Sequence, residues 1–167
     1  KLSLPLARSI WLDGLDDAER LEKLDAKLQP YDVWNFAGCA DGFGSEHPGR
    51  LPGQLLLHVL YFFTKPDDMV IDPMAGGGTT QDACLAMGRR CYGFDIDTRH
   101  GRKDTIVHDI NKDGWHKRIK KADLIFWDPP YFCKKDYAEG SVSLLDRDTY
   151  LAFFALANRP ATPTVSM

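Results

Sequence analysis

Met69-Val-Ile-Asp-Pro-Met-Ala-Gly-Gly-Gly-Thr-Thr80 joins a short apolar run to three successive glycines. The run Met69–Ile71 predicts a buried β-strand, and the residues after the glycines predict a helix to Met87 with Gly88 as its stop. Residues Gly76–Gly78 have no β-carbons, so they can adopt positive φ and let a ligand lie against the backbone; a simple tight turn is the alternative. The loop lacks the lysine of a P-loop, which disfavours nucleoside triphosphate hydrolysis.

Three further strands are predicted downstream, in the strand–helix alternation typical of a parallel α/β sheet. They cover Cys91–Phe94, Thr105–Val107 and Leu124–Trp127. An aspartate follows each of the four strands: Asp72, Asp95, Asp109 and Asp128. A single aspartate at a strand end is often only a helix cap. Because ligands of such sheets bind outside the carboxyl ends of the strands, however, we expect these four aspartates to gather at one edge.

Asp95 has a spacing that points to a nucleoside. It lies 23 residues after Asp72. At that spacing a second-strand carboxylate reaches the two ribose hydroxyls of a bound nucleotide, and its oxygens accept both hydrogen bonds.

A capping-box pattern opens the predicted N-terminal helix. Asp16 and Glu19 are spaced to begin a helix over residues 16–29, which Pro30 ends. The aromatic and glycine-rich residues 31–46 then predict a loop or short strand that lies on the core.

Two more helices complete the prediction. The apolar run Gly53–Phe63 predicts a buried helix that ends before Pro66, with His58 as a hydrogen-bonded core histidine. Residues 148–157 predict the other. The expected domain plan is an N-terminal helix and aromatic loop packed on the core (1–46), the core itself (47–159) and an irregular tail (160–167).

Composition describes a single domain with a neutral surface overall. The chain has 167 residues, 44% of them apolar, and a net charge of −3, which gives no general attraction to nucleic acid or membrane. Residues 89–121 nevertheless carry 10 basic and 5 acidic side chains. That stretch is either a solvated helical face or a local phosphate-contacting surface. The four cysteines form no C-x-x-C pair, and no apolar run is long enough to span a bilayer, so we predict a cytoplasmic protein.

Three motifs carry a resemblance to a known family. His47-Pro-Gly-Arg-Leu-Pro52, Asp72–Thr80 and Asp128-Pro-Pro-Tyr131 occur in this order. They resemble the upstream segment, the cofactor loop and the D-P-P-Y catalytic motif of the amino-group DNA methyltransferases. Met74 and Gly77 depart from the usual loop sequence, which has Phe and Ser at those positions.

The resemblance implies a Rossmann-like class I methyltransferase fold with a mainly parallel sheet in the order 3-2-1-4. It implies S-adenosylmethionine as cofactor. No metal is expected, because neither the cysteines nor His100, His108 and His116 have the spacing of metal ligands. The resemblance also implies the cofactor-binding residues, which are His47, Pro48, Asp72, Pro73, Met74, Ala75, Gly76, Gly77, Gly78, Thr79, Thr80, Asp95, Ile96, Asp109 and Ile110. The implied catalytic residues are Asp128, Pro129, Pro130 and Tyr131.

The function implied by the resemblance is methylation of the N6 amine of adenine in DNA, with the base flipped into the pocket. An Asp before Pro-Pro-Tyr favours adenine, whereas a Ser would favour cytosine N4. Methylation of cytosine N4 or of RNA stays open, as does a truncated fragment that binds cofactor or associates with DNA without turnover. Similar methylase domains occur in plasmid and phage proteins, which points to a prokaryotic or mobile-element origin.

Length is the main departure from that family. Complete members continue for about three strands beyond the fourth, whereas about 36 residues follow Tyr131 here. We therefore expect a sheet that is incomplete on its C-terminal side. We expect Leu124–Trp127 to be buried on both faces, as central parallel strands are, with its free edge covered by a second copy of the chain or by a missing segment.

Overall fold

A computed structural model describes residues 14–46, 49–97, 102–130, 147, 148 and 151. Within this part of the chain, helices and strands alternate along most of the sequence. The helices are α1 (Asp17–Lys23), α2 (Gly53–Phe63), α3 (Thr79–Ala86) and α4 (Ile110–Asp113). The strands are β1 (Met69–Asp72), β2 (Arg90–Asp95), β3 (Thr105–Val107) and β4 (Leu124–Ile125).

The four strands form one parallel sheet in the order β3-β2-β1-β4. Val70 of β1 lies between Cys91 of β2 and Leu124 of β4, and Phe94 of β2 pairs with Ile106 of β3. The predicted α/β class and the order 3-2-1-4 are therefore confirmed. Because all four strands run the same way, their carboxyl ends meet at a single edge.

Helix α1 begins as predicted but ends earlier. The capping box is present: Glu19 N–H donates to Asp16 Oδ1, and Asp16 N–H donates to Glu19 Oε2, both at 2.9 Å. The predicted end at Gln29 is wrong, because the helix stops at Lys23. Asp25 has φ of 48°, and the next amide, Ala26 N–H, donates back to the Leu21 carbonyl at 2.9 Å. This left-handed cap closes the helix well before Pro30.

A buried arginine ties α1 to the core. Arg89 follows α3 and is fully buried, and its guanidinium forms a two-pronged ion pair with the carboxylate of Asp17. Its remaining N–H groups donate to Thr64 Oγ1 and to the Leu60, Thr64 and Met87 carbonyls. With every donor direction occupied, the buried charge is well compensated.

Helix α2 covers the predicted residues and supplies much of the core. Leu56, Leu57 and Leu60 are buried against β1 and α3 residues, whereas its last turn leaves Phe62 and Phe63 exposed. The prediction of a buried helix thus holds for its first two turns only. His58 is a satisfied core histidine, as predicted: its Nε2 accepts from Gln29 N–H at 2.8 Å, and its Nδ1 lies 2.7 Å from the Gln54 carbonyl.

Residues 31–46 form a loop with no strand, the first of the two predicted alternatives. Phe43 reaches the core and lies against Gly53, where a β-carbon would come within 2.3 Å of its ring. Trp34 stacks on Phe62 with ring centroids 6.0 Å apart. The loop is thus held on the core by its aromatic side chains.

Strand β4 is shorter and more exposed than predicted. It covers Leu124 and Ile125 rather than four residues, and the expectation of burial on both faces is wrong, because Ile125 is 36% exposed. Leu124 and Phe126 pack against the core beside α2 and α3, whereas Ile125 alternates to the other face. Among the described residues β4 has a neighbour only on the β1 side. Most of the predicted helix 148–157 lies outside the described residues. No helix in the described part of the chain is long and apolar enough to cross a membrane.

Candidate functional site

The glycine loop joins β1 to α3 at the carboxyl edge of the sheet. Gly76 has φ of 49° and Gly78 has φ of 82°, so the positive φ angles expected from the sequence are present. Gly78 is the N-terminal cap of α3. The loop is attached to the neighbouring strand, because Ala75 N–H donates to the carbonyl of Phe94 in β2 at 2.8 Å.

Asp95 at the end of β2 is oriented by the glycine loop. Its Oδ2 accepts from Gly76 N–H at 2.7 Å, and its Oδ1 accepts from Asp97 N–H at 2.8 Å. A carboxylate has about four lone-pair directions, so each oxygen still has one for a ligand. The predicted role in binding a ribose is compatible with this geometry. The contact of the same carboxylate with the glycine loop was not predicted, because no local pattern signals it.

Asp72 is the buried carboxylate beneath the loop. Its Oδ1 accepts from Met74 N–H at 3.0 Å, and burial raises its pKa to about 7. Hydrogen bonds from Thr80 and Met74 oppose that rise in pKa, while the negative charges of Asp95 and Asp128 add to it. Because β1 lies between the parallel strands β2 and β4, Asp72, Asp95 and Asp128 are on the same carboxyl edge of the sheet.

Asp128 follows β4 on the same edge and is partly buried. Burial alone raises its pKa. Among the described residues, no donor forms a hydrogen bond with its carboxylate. Trp127, just before it, meets Trp115 edge to face with ring centroids 5.8 Å apart. Pro129 and Pro130 follow, half-buried, while Tyr131 lies outside the described residues.

Asp109, the fourth aspartate, acts as a helix cap. Its Oδ1 accepts from Asn111 N–H at 3.0 Å and from Lys112 N–H at 3.2 Å, which starts α4. Ile110, the next residue, is buried. Asp109 thus has the simple capping role that a strand-end aspartate often has. Contact of Asp109 and Ile110 with a cofactor stays a prediction, as it does for Ile96 and Pro73.

The segment upstream of His47 lies directly on the glycine loop. Ser45 N–H donates to the Gly77 carbonyl at 2.9 Å, and Gly44 N–H donates to Asp82 Oδ2 at 2.7 Å. A β-carbon on Gly44 would come within 2.3 Å of Thr79 Oγ1. His47 and Pro48 themselves lie outside the described residues. The sequence did not single out Gly44 or Asp82, since no local pattern signals a contact between residues 38 positions apart.

The basic stretch does not form one surface at this edge. Arg102 is paired with Asp82 and Asp104, and Lys121 is paired with Asp123, just before β4 begins. Lys121 therefore lies at the amino end of the strands, opposite Asp128. Arg99 lies outside the described residues. Within the described part of the chain, no group of three or more His, Cys, Asp or Glu side chains is arranged to hold a metal ion.

Comparison with known proteins identifies the family of the chain. The chain belongs to the DNA methylase family, which matches residues 6–105. Type II methyltransferase M2.DpnII of Streptococcus pneumoniae is 29% identical over 82 residues, covering 48% of this chain and 31% of that protein. DNA adenine methyltransferase YhdJ of Escherichia coli (strain K12) is 32% identical over 74 residues, covering 42% and 25%.

Putative methylase YubD of the same Escherichia coli strain is 33% identical over 69 residues, covering 41% of this chain and 28% of that protein. The chain thus spans about a third or less of the length of these curated relatives. The family match includes the glycine loop and Asp95 but ends before Asp128. No solved structure matches the chain significantly.

Proposed function

We propose that this chain binds S-adenosylmethionine and transfers its methyl group to an exocyclic amine of DNA, with N6 of adenine as the favoured target. The observation that carries the proposal is the arrangement at the carboxyl edge of the sheet: Asp72 ends β1, Asp128 follows the adjacent parallel strand β4, and Asp95 at the end of β2 accepts from Gly76 N–H of the glycine loop. Membership of the DNA methylase family supports the same chemistry.

The residues present fit this cofactor. S-adenosylmethionine carries a ribose with two hydroxyls. It also has one positive charge on its sulfonium and another on its amino group. Asp95 presents a carboxylate already oriented by two backbone amides, and Asp72 provides a second, buried carboxylate close by. Gly76, with φ of 49°, has no β-carbon, so a ligand can approach the backbone of the turn there. The methionine part would lie along residues 72–80, and the ribose at Asp95.

Asp128 and Pro129 would prepare the amine for transfer. The lone pair of an exocyclic amine is delocalised into the base, which makes it a poor nucleophile. The carboxylate of Asp128 and the carbonyl of Pro129 would accept hydrogen bonds from the two N–H groups of the amine. These hydrogen bonds would localise the lone pair and orient it. When bound, the cofactor supplies an electrophilic methyl group. Pro130 stiffens the turn, and Tyr131 would stack on the flipped base.

Two features bear on the choice of substrate. Asp at position 128 favours adenine over cytosine N4 in the resemblance, and one relative is named a DNA adenine methyltransferase. The contacts of Asp128 and Pro129 would also suit an amine of cytosine or of RNA. The methyl-transfer assay described below distinguishes these alternatives.

A second candidate function is cofactor binding without turnover. It is favoured by the extent of the family match, which covers the glycine loop and Asp95 but stops at residue 105, before Asp128. In that case the loop would bind the cofactor, while Asp128 would have no substrate.

Two measurements test the proposal. Calorimetric titration with S-adenosylmethionine tests cofactor binding. Transfer of tritiated methyl to duplex DNA, followed by digestion to nucleosides, identifies the modified base, with RNA as the competing substrate. Asp128→Ala should leave cofactor affinity within about twofold and abolish transfer. Binding without transfer by the parent protein would favour the second candidate, and no binding would refute both.

A further inference from the structure

Arg102 lies across the last glycine of the loop. A β-carbon on Gly78 would come within 2.3 Å of Arg102 Nε and 2.5 Å of its Cδ and Cζ. The absence of a side chain at Gly78 therefore leaves room for the arginine, in addition to allowing its φ of 82°. The contact places a guanidinium where the loop turns into α3.

The guanidinium bridges two carboxylates. Arg102 Nη1 and Nη2 donate to Asp82 Oδ2 and Oδ1, both at 3.0 Å, in a two-pronged pair. Its Nε and Nη2 donate to Asp104 Oδ1 and Oδ2 at 3.0 and 2.7 Å. Asp82 is buried on α3, and Asp104 lies just before β3. The planar fork of an arginine suits this double contact, whereas a lysine has a single point charge.

Asp82 also contacts the segment upstream of His47. The oxygen that accepts from Arg102 Nη1, Oδ2, also accepts from Gly44 N–H at 2.7 Å. Ser45, the next residue, donates to the Gly77 carbonyl. Arg102 is thus connected through one buried carboxylate to the upstream segment that contacts the glycine loop.

We propose that Arg102 is a positioning residue for the cofactor loop, holding Asp82 so that Gly44 and Ser45 stay on the loop in a binding-competent arrangement. This inference rests on the proposed function. We use the name Arg102 clamp for the contacts among Arg102, Asp82, Asp104 and the Gly44 amide. The guanidinium of Arg102 donates to Asp82 and Asp104, neither of which is a predicted cofactor-binding residue, so its effect on binding is indirect.

Arg102→Lys is the decisive variant. It keeps a positive charge beside Asp82 but cannot span both carboxylates, so the fold should survive while the loop loosens. We expect S-adenosylmethionine affinity, measured by calorimetry, to fall at least about tenfold, which corresponds to ~1.4 kcal/mol. Arg102→Met should weaken binding further; if it does not fold, Arg102→Lys decides the question.

Two controls separate positioning from general stability. Asp17→Ala removes the ion pair with Arg89, away from the loop, and should lower the unfolding midpoint while leaving affinity within about twofold. Asp104→Asn removes only the exposed half of the bridge and should have a smaller effect than Arg102→Lys. Parental affinity in Arg102→Lys, or a loss in proportion to stability across all these variants, would overturn the proposal.

Amide hydrogen exchange gives a readout that needs no cofactor. The amides of Gly44 and Ser45 should be protected in the parent and in Asp17→Ala, and should exchange at least about tenfold faster in Arg102→Lys. Unchanged exchange there would overturn the Arg102 clamp even if affinity falls. Conversely, failure of the parent to bind S-adenosylmethionine, with faster exchange in Arg102→Lys, would refute the proposed function and leave the link between Arg102 and Gly44 intact.

Discussion

Replacing Asp72 by Asn should stabilise the protein at pH 8 and remove a large part of the pH dependence of its stability. Asp72 is buried beneath the glycine loop, and burial raises its pKa from 3.8 to about 7. Asn has nearly the same shape, and its amide oxygen can still accept from Met74 N–H. The substitution therefore removes a buried charge and keeps the hydrogen bond from Met74 N–H.

The sign follows from proton binding. Between pH 3.8 and about 7 the folded protein holds a proton on Asp72 that the unfolded chain has lost. The free energy of unfolding therefore falls as pH rises through this window and levels off above it. A pKa rise from 3.8 to about 7 corresponds to roughly 4 kcal/mol at pH 8, of which roughly 2.5 kcal/mol is lost between pH 5 and 8.

Urea unfolding followed by tryptophan fluorescence at pH 5, 6, 7 and 8 measures this effect. The stability difference between Asp72→Asn and the parent should grow by roughly 2.5 kcal/mol from pH 5 to pH 8. Asp32→Asn, which removes an exposed carboxylate, is the control and should follow the parent at every pH. A difference between Asp72→Asn and the parent that is the same at pH 5 and pH 8 would refute the reasoning.

Four other substitutions test separate parts of the structure. Asp17→Ala should lower the free energy of unfolding by about 3 kcal/mol in urea titrations, because it leaves the buried Arg89 without its carboxylate. Asp95→Ala should weaken S-adenosylmethionine binding roughly 10- to 150-fold by calorimetry, since a charged hydrogen bond contributes about 1.5–3 kcal/mol; parental affinity would contradict the ribose assignment. The methyl-transfer rate of the parent should fall as pH drops through the raised pKa of Asp128, because the protonated acid no longer accepts a hydrogen bond from the amine. Asp128→Asn should lose this pH dependence. If the edge of β4 that has no neighbour among the described residues pairs with a second copy, sedimentation should show a dimer that Ile125→Lys disrupts, whereas a monomeric parent at high micromolar concentration would argue against self-pairing.

The parts of the fold that the sequence predicted well are those set by local patterns. Strand β1, the glycine turn and helix α2 are each marked by an apolar run bounded by Gly, Pro or Asp, and their bounds agree closely with the structure. The sheet order followed from the resemblance to a known family rather than from pattern alone. The gathering of Asp72, Asp95 and Asp128 then follows from parallel strands sharing one edge.

The parts that were missed depend on contacts that no local pattern contains. Helix α1 is terminated by an aspartate in a left-handed conformation just beyond its end, Asp25, where the sequence offers no glycine as a signal. The pairing of Arg102 with Asp82 joins residues 20 positions apart, and either side chain alone resembles an ordinary surface charge. Exposure of Ile125 depends on what covers β4, which its own apolar sequence does not specify.

The attachment of residues 14–46 at two distant points has a consequence for the order of folding. Asp17 meets Arg89 across 72 positions, and Gly44 meets Asp82 across 38, whereas β1, α3 and β2 are neighbours along the chain. Long-range contacts close later than local ones, because the intervening chain must first be ordered. We therefore expect the β1–α3–β2 unit to assemble first and the upstream segment to join it afterwards. A nascent chain would then have the β1–α3–β2 unit in place before residues 14–46 attach to it.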